Sequence, residues 1–195
     1  KCGPLKGHEK IPGDKSISHR ALIFGALTIG ETMISGLLEG EDVLHTAEAM
    51  RKLGAKIEKG SDGLWRIHGT GIGGLHQPDT PLEMGNSGTS TRLLIGLIGG
   101  HNITATFTGD ASLSKRPMQR VITPLEMMGT TFKSQNQDPK GDKLPLTVTG
   151  PDDLLSIEYR LPVASAQVKS AILLAALNAR GTTTVIEVSP ARAHT

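Results

Sequence analysis

Three stretches of this chain place basic residues among small hydroxyl and amide residues within one helical turn. They are Lys15-Ser16-Ile17-Ser18-His19-Arg20, Asn86-Ser87-Gly88-Thr89-Ser90-Thr91-Arg92 and Ser165-Ala166-Gln167-Val168-Lys169-Ser170. Each opens an apolar run. A helix beginning there would aim unpaired backbone N–H groups, and roughly half a positive charge, at whatever lies beyond its first turn. With the Lys, Arg, Ser, Thr, Asn and Gln side chains added, the surface is rich in donors and poor in carboxylates, which suits phosphate and carboxylate ligands. Ser16 and Arg20 are four apart and share one helix face, and an arginine holds a planar anion through two hydrogen bonds. Ser16, Ser87 and Ser165 also fit as plain helix caps. Capping, however, needs no basic residue one turn further in, and the pairing occurs three times.

A fourth basic group, Ser114-Lys115-Arg116-Pro117-Met118, follows the strand that leaves the second apolar run. Other chemistries are poorly served. Gly13-Asp14-Lys15-Ser16 lacks the glycines that a phosphate-binding P-loop needs where Glu9 and Asp14 stand. Ser112-Leu113-Ser114-Lys115 matches S-x-x-K, with no K-T-G after it. The seven histidines are scattered without metal-ligand spacing. The single cysteine, Cys2, excludes a disulfide framework and any cysteine-based zinc site.

The elements that must position these residues repeat along the chain. Aligned on Ser16, Ser87 and Ser165, the three runs are offset by 71 and 78 residues. Strand-like Thr-rich segments follow each: Gly30–Gly36, Gly100–Gly109 and Gly181–Val188. Ala47–Ile57 parallels Thr123–Phe132, each a helix ended by glycine and followed by a strand, and Leu64–Gly71 parallels Leu144–Pro151 as short alternating strands. The unit reads strand, buried helix, strand, exposed helix, strand over roughly 70–80 residues. Ala21–Leu27 and Ala171–Leu177 are apolar on every side and predict central, buried helices, whereas Thr46–Leu53 is amphipathic. Repeats over about 13–80, 81–155 and 156–195 follow, the last without its surface helix and closing strands. If the buried helices run parallel, the three basic starts converge on one face.

Composition narrows the classes further. Of 195 residues 24 are glycine, about 12% against a usual ~7%, and they punctuate turns of the repeat. Net charge is +2 and aromatics are 3%, with no basic block, which excludes a nucleic-acid-binding surface. Hydrophobic residues make up 37%, enough for a core, without any run long enough to span a membrane. The first ten residues carry no apolar signal-peptide segment, so a cytoplasmic protein is expected.

Pro12–Arg20 strongly resembles the N-terminal signature of the EPSP synthases, the 3-phosphoshikimate 1-carboxyvinyltransferases of the shikimate pathway of aromatic amino acid and chorismate biosynthesis. Gly85–Arg92 resembles their second signature, and Lys115–Met118 and Ser165–Ser170 match two more, in order along nearly the whole chain. The resemblance implies an α/β (α+β) fold: one domain of the two-domain enolpyruvyltransferase fold, about three βαβαββ-type repeats with buried parallel helices inside and sheets outside. It implies transfer of the enolpyruvyl group of phosphoenolpyruvate to the 5-hydroxyl of shikimate 3-phosphate through a tetrahedral adduct, with release of phosphate and with no metal or organic cofactor. It also implies that the second domain, which supplies the aspartate base and further basic residues, is absent here. A monomer that is catalytically incomplete alone is therefore expected.

By the same resemblance Lys15 is the catalytic residue and contacts both substrates. Ser16, Arg20, Ser165, Ala166, Gln167 and Arg192 hold shikimate 3-phosphate, while Asn86, Gly88, Arg116 and Gln167 serve phosphoenolpyruvate, where glyphosate competes. Ala166 stands where many members have serine, Leu93 where many have proline, and Ala193 where the tail usually reads Arg-Asp-His-Thr. Two other readings are a stand-alone anion-binding module and the sister UDP-N-acetylglucosamine enolpyruvyltransferases. The latter share the fold but usually carry a cysteine in the loop that here holds Arg116.

Overall fold

The computed structural model describes residues 3–4, 6–9, 11–136 and 141–189. Its first unit comprises α1 (Lys15–Ala26), β1 (Ile29–Ile34), α2 (Glu41–Lys52), β2 (Lys56–Lys59) and β3 (Trp65–Thr70). The second comprises β4 (Leu82–Glu83), α3 (Gly88–Gly99), β5 (Thr104–Thr108), a 3₁₀ turn (Leu113–Lys115), α4 (Gln119–Met127), β6 (Thr131–Asn136) and β7 (Lys143–Thr149). Then come β8 (Glu158–Arg160), α5 (Ala166–Ala176) and β9 (Thr184–Ile186).

The repeat is visible in the sheets. Strand order β1-β3-β2 in the first sheet recurs as β5-β7-β6 in the second, antiparallel throughout. Parallel pairs β4–β5 and β8–β9 are joined through α3 and α5, the crossover that parallel pairing requires. The complete unit is therefore βαβαββ, one strand longer than the five-element reading, because two strands follow each amphipathic helix. Among the described residues no strand precedes α1.

Local sequence explains the boundaries. Gly54 and Gly129 follow α2 and α4 at φ +106 and +103. There the chain closes with Ala55 N donating to Met50 O and Thr130 N to Leu125 O, satisfying carbonyls that the helix leaves open. α2 begins at Glu41, more than a turn before the amphipathic stretch read from Thr46, because Glu41 and Asp42 favour the positive end of the helix.

The burial of the helices departs from expectation. α3 is the enclosed one, with Leu93 to Gly99 all buried. α1 and α5 flank it and leave apolar side chains outside: Phe24 is 50% exposed, Leu173 45% and Leu177 42%. An all-apolar helix is enclosed only if elements cover it on every side, and none of the described residues covers this face. It forms a groove of about 370 Å³ between α1 and α5.

α3 and α5 approach closely through Gly96 and Gly100 of one and Ala171 and Ala175 of the other. A Cβ on Gly96 would lie 2.2 Å from the Ala171 carbonyl oxygen, and one on Gly100 2.6 Å from that of Ala175. The two pairs, each four apart, meet in the same order, so the helices run parallel and their starts lie side by side.

Candidate anion-binding site

Each of the three helix starts is fixed by its own cap. Asp14, rather than Ser16, caps α1, its Oδ1 accepting from Ile17 N at 2.8 Å. Ser87 and Ser165 cap α3 and α5 as their positions suggest. Ser16 is instead the second residue of α1, half-buried, and its carbonyl accepts from Arg20 Nη1 at 3.3 Å.

Side chains then tie the starts together. Arg20 Nη2 donates to Ser170 Oγ at 3.0 Å, linking α1 to α5 across 150 residues of sequence. Arg92 Nη1 donates to Gly88 O at 2.9 Å and to Gln167 Oε1 at 3.2 Å, and Gln167 Nε2 donates to Thr89 Oγ1 at 3.0 Å, linking α3 to α5. Lys15 Nζ meets Asp42 Oδ2 at 2.9 Å, linking α1 to the first turn of α2. Beneath that pair the buried His19 ring shares a 2.8 Å hydrogen bond with Thr46 Oγ1, while its Nε2 has no partner. Burial, opposed by Asp42 and assisted by Lys15 and Arg20, lowers the His19 pKa to about 4.

The turn after β5 closes the other side. Asn86 Nδ2 donates to Asp110 Oδ2 at 2.8 Å, and Arg116 Nη2 donates to Asn86 Oδ1 and to Ser112 Oγ. The Leu113 backbone N–H, with the Asn86 amide and the Ser112 N–H, holds the Asp110 carboxyl below its ordinary range. Gly88 leaves room for two guanidinium groups, since a Cβ there would lie 2.9 Å from Arg92 Nη1 and 3.0 Å from Arg116 Nη1. Burial and the nearby Arg116 and Arg120 lower the pKa of Arg92, which still leaves a guanidinium charged.

Lys15, Ser16, Arg20, Asn86, Gly88, Arg116, Ser165, Ala166 and Gln167 thus lie at the starts of α1, α3 and α5 or on the turn beside them. Arg192, with Cys2, Ala193 and His194, falls outside the described residues. The face is less poor in carboxylates than the sequence suggested. Asp42 neutralises Lys15 and Glu187 neutralises Lys169 at 2.9 Å, whereas Arg20, Arg92 and Arg116 bond neutral oxygens. Asp42 escaped sequence reasoning because nothing local marks it as the neighbour of a lysine 27 positions earlier. Thr89 and Arg92 were legible as helix-start residues but not as partners of Gln167.

The family model described as EPSP synthase (3-phosphoshikimate 1-carboxyvinyltransferase) matches residues 1–195. The chain belongs to the EPSP synthase family. It is 65% identical over 193 residues to the 3-phosphoshikimate 1-carboxyvinyltransferase of Parvibaculum lavamentivorans, covering 99% of this chain and 42% of that protein. The protein of the same name from Zymomonas mobilis is 62% identical over 194 residues, covering 100% and 42%. An EPSP synthase structure from Acinetobacter baumannii superposes with a TM-score of 0.90 at 49% identity, over 96% of this chain and 42% of that one. The chain therefore spans about two fifths of the length of these EPSP synthases. No helix among its described residues is long and apolar enough to cross a membrane.

Proposed function

We propose that this chain is the N-terminal portion of a 3-phosphoshikimate 1-carboxyvinyltransferase and supplies one wall of its active site. The observation that carries this reading is the convergence of three helix starts, cross-linked by Arg20, Arg92 and Gln167, with Arg20, Arg92 and Arg116 bonded to neutral oxygens. Such a face binds dianions through charge-assisted hydrogen bonds. Shikimate 3-phosphate rests on the start of α5, with Ser165, Ala166 N–H and Gln167 at its phosphate and ring hydroxyl and with Ser16 and Arg20 at its carboxylate end. Phosphoenolpyruvate lies over Gly88, beside Arg116, with Asn86 orienting that guanidinium. Lys15 sits between them; its ammonium donates the proton to the enol carbon or balances charge as the tetrahedral adduct forms.

The remaining length of the relatives supplies the second wall and the rest of the third unit. α2 lies against α1 and α3, and α4 against α3 and α5. The same rotation seats a third amphipathic helix against α5 and α1, over Phe24, Leu173 and Leu177. Complete, the enzyme is a cytoplasmic monomer that needs no metal or organic cofactor.

Titrating the isotope-labelled chain by NMR distinguishes the readings. Shikimate 3-phosphate is expected to shift Arg20, Ser165 and Gln167 weakly, UDP-N-acetylglucosamine to shift none of them, and Lys15→Ala or Arg116→Ala to weaken ligand binding. Phosphate release from the two substrates is expected only after the C-terminal portion of a relative is added in trans. Turnover by the chain alone, or a response to UDP-N-acetylglucosamine instead, overturns the proposal.

A further inference from the structure

A glutamine amide is nearly symmetric in shape, and only its hydrogen-bond partners decide which end faces which way. At Gln167 one partner settles it. The Arg92 guanidinium has donors only, so the atom 3.2 Å from its Nη1 must be the amide oxygen, and the amide nitrogen is turned to Thr89 Oγ1 at 3.0 Å. One N–H of that nitrogen goes to Thr89. The other remains to donate, which is the polarity an anion needs; the opposite orientation would present an oxygen to it.

The same guanidinium reaches two further segments. It donates to Gly88 O at 2.9 Å and to Pro117 O at 3.4 Å, the latter next to Arg116. Among the described residues its partners are two backbone carbonyls and an amide, none a carboxylate. It is half-buried and carries its charge beside Arg116 and Arg120, so it is held at a cost that its bridging bonds must offset.

We propose that Arg92 is a positioning residue, setting the Gln167 amide donor-outward and holding the Arg116 turn over Gly88, and acting on the bound anion through these groups rather than by touching it. This rests on the functional reading for the identity of the anion but not for the brace itself.

Arg92→Lys keeps the charge and removes the fork, since one ammonium cannot span Gly88, Gln167 and Pro117 together. In an NMR titration with shikimate 3-phosphate, Arg92→Lys is expected to weaken binding about tenfold, the loss of one charge-assisted hydrogen bond. In a Gln167→Ala background the same change is expected to cost less than about twofold, because residues that act through one another are non-additive. A near-unchanged affinity of Arg92→Lys, or a tenfold loss that persists without Gln167, overturns the proposal. A ligand-free measurement stands apart from the choice of substrate and from the folding of any variant. In the unaltered chain the Gln167 side-chain amide proton that faces Thr89 should exchange with solvent at least about tenfold more slowly than those of exposed Gln77, whose oxygen alone is engaged, by Thr104 N. Equal rates would show that no brace exists. Braced exchange with no response to shikimate 3-phosphate would sink the functional reading and leave the brace standing.

Discussion

Gly96→Ala joins the packing of the fold to the geometry of the site in one substitution. Inside an ordinary helix the change would add about 1 kcal/mol of stability through helix propensity. Here the new methyl would lie 2.2 Å from Ala171 O, 2.6 Å from its Cα and 2.7 Å from its carbonyl carbon, all backbone atoms of α5. Ordinary contact needs about 3.4 Å or more, so α5 must retreat by roughly 1 Å, and overpacking of this kind costs about 1–3 kcal/mol. Gln167 lies one turn before Ala171 on the same rigid helix. A retreat of that size carries its amide beyond reach of Arg92 Nη1, now 3.2 Å away, and of Thr89 Oγ1, now 3.0 Å away. Two bonds of about 1 kcal/mol each are lost. The propensity gain is outweighed, the net loss is about 2–4 kcal/mol, and the melting temperature should fall by roughly 5–15 °C. Thermal and urea unfolding measure the stability, and the Gln167 side-chain amide signal reports the site. Gly25→Ala is the matched control, because its Cβ would meet the end of the Ile67 side chain at 2.8 Å, a methyl that can turn aside. It should cost less than about 1 kcal/mol. Gly96→Ala as stable as the parent, or a Gln167 signal unmoved by it, would refute the close helix crossing and its link to the site.

Three other outcomes can be checked directly. His19, buried and with its pKa lowered to about 4, is neutral in the folded chain but takes up a proton near pH 6.5 when unfolded. Its contribution is thus fully present above about pH 6.5 and is lost as pH falls toward 4, on the order of 3 kcal/mol; a His19 ring signal titrating near 6.5 would contradict this. Asp42→Asn removes an ion pair whose lysine is largely exposed, so unfolding free energy should change by less than about 1 kcal/mol. Freed of its counter-ion, Lys15 should bind phosphate more tightly at low salt, and weaker binding would show that Asp42 instead orients the ammonium. Gly88→Ala brings a methyl against the flexible ends of Arg92 and Arg116 rather than against backbone, so stability should hold within about 1 kcal/mol while phosphoenolpyruvate binding by the complete enzyme falls. An unaltered affinity would remove Gly88 from the site.

What sequence alone decided was local. Ser87 and Ser165 announced helix starts because a cap acts over three residues, and Gly54 and Gly129 announced helix ends because few other residues accept a positive φ. The repeat, and with it three basic helix starts, followed from the same short-range signals and from four family signatures in order. Asp14 displaced Ser16 as the cap of α1 because both residue types can cap and only the backbone path chooses between them. The rest needed the third dimension. Burial of an apolar helix depends on what lies across from it, so α3 proved enclosed while α1 and α5 kept Phe24, Leu173 and Leu177 exposed. Lys15 finds Asp42 and Arg92 finds Gln167 across 27 and 75 positions of sequence. The Arg92–Gln167 pairing is set by the parallel packing of α3 on α5 through Gly96 and Gly100, and the Lys15–Asp42 pairing by the packing of α1 on α2, neither of which a neighbouring residue in the chain records.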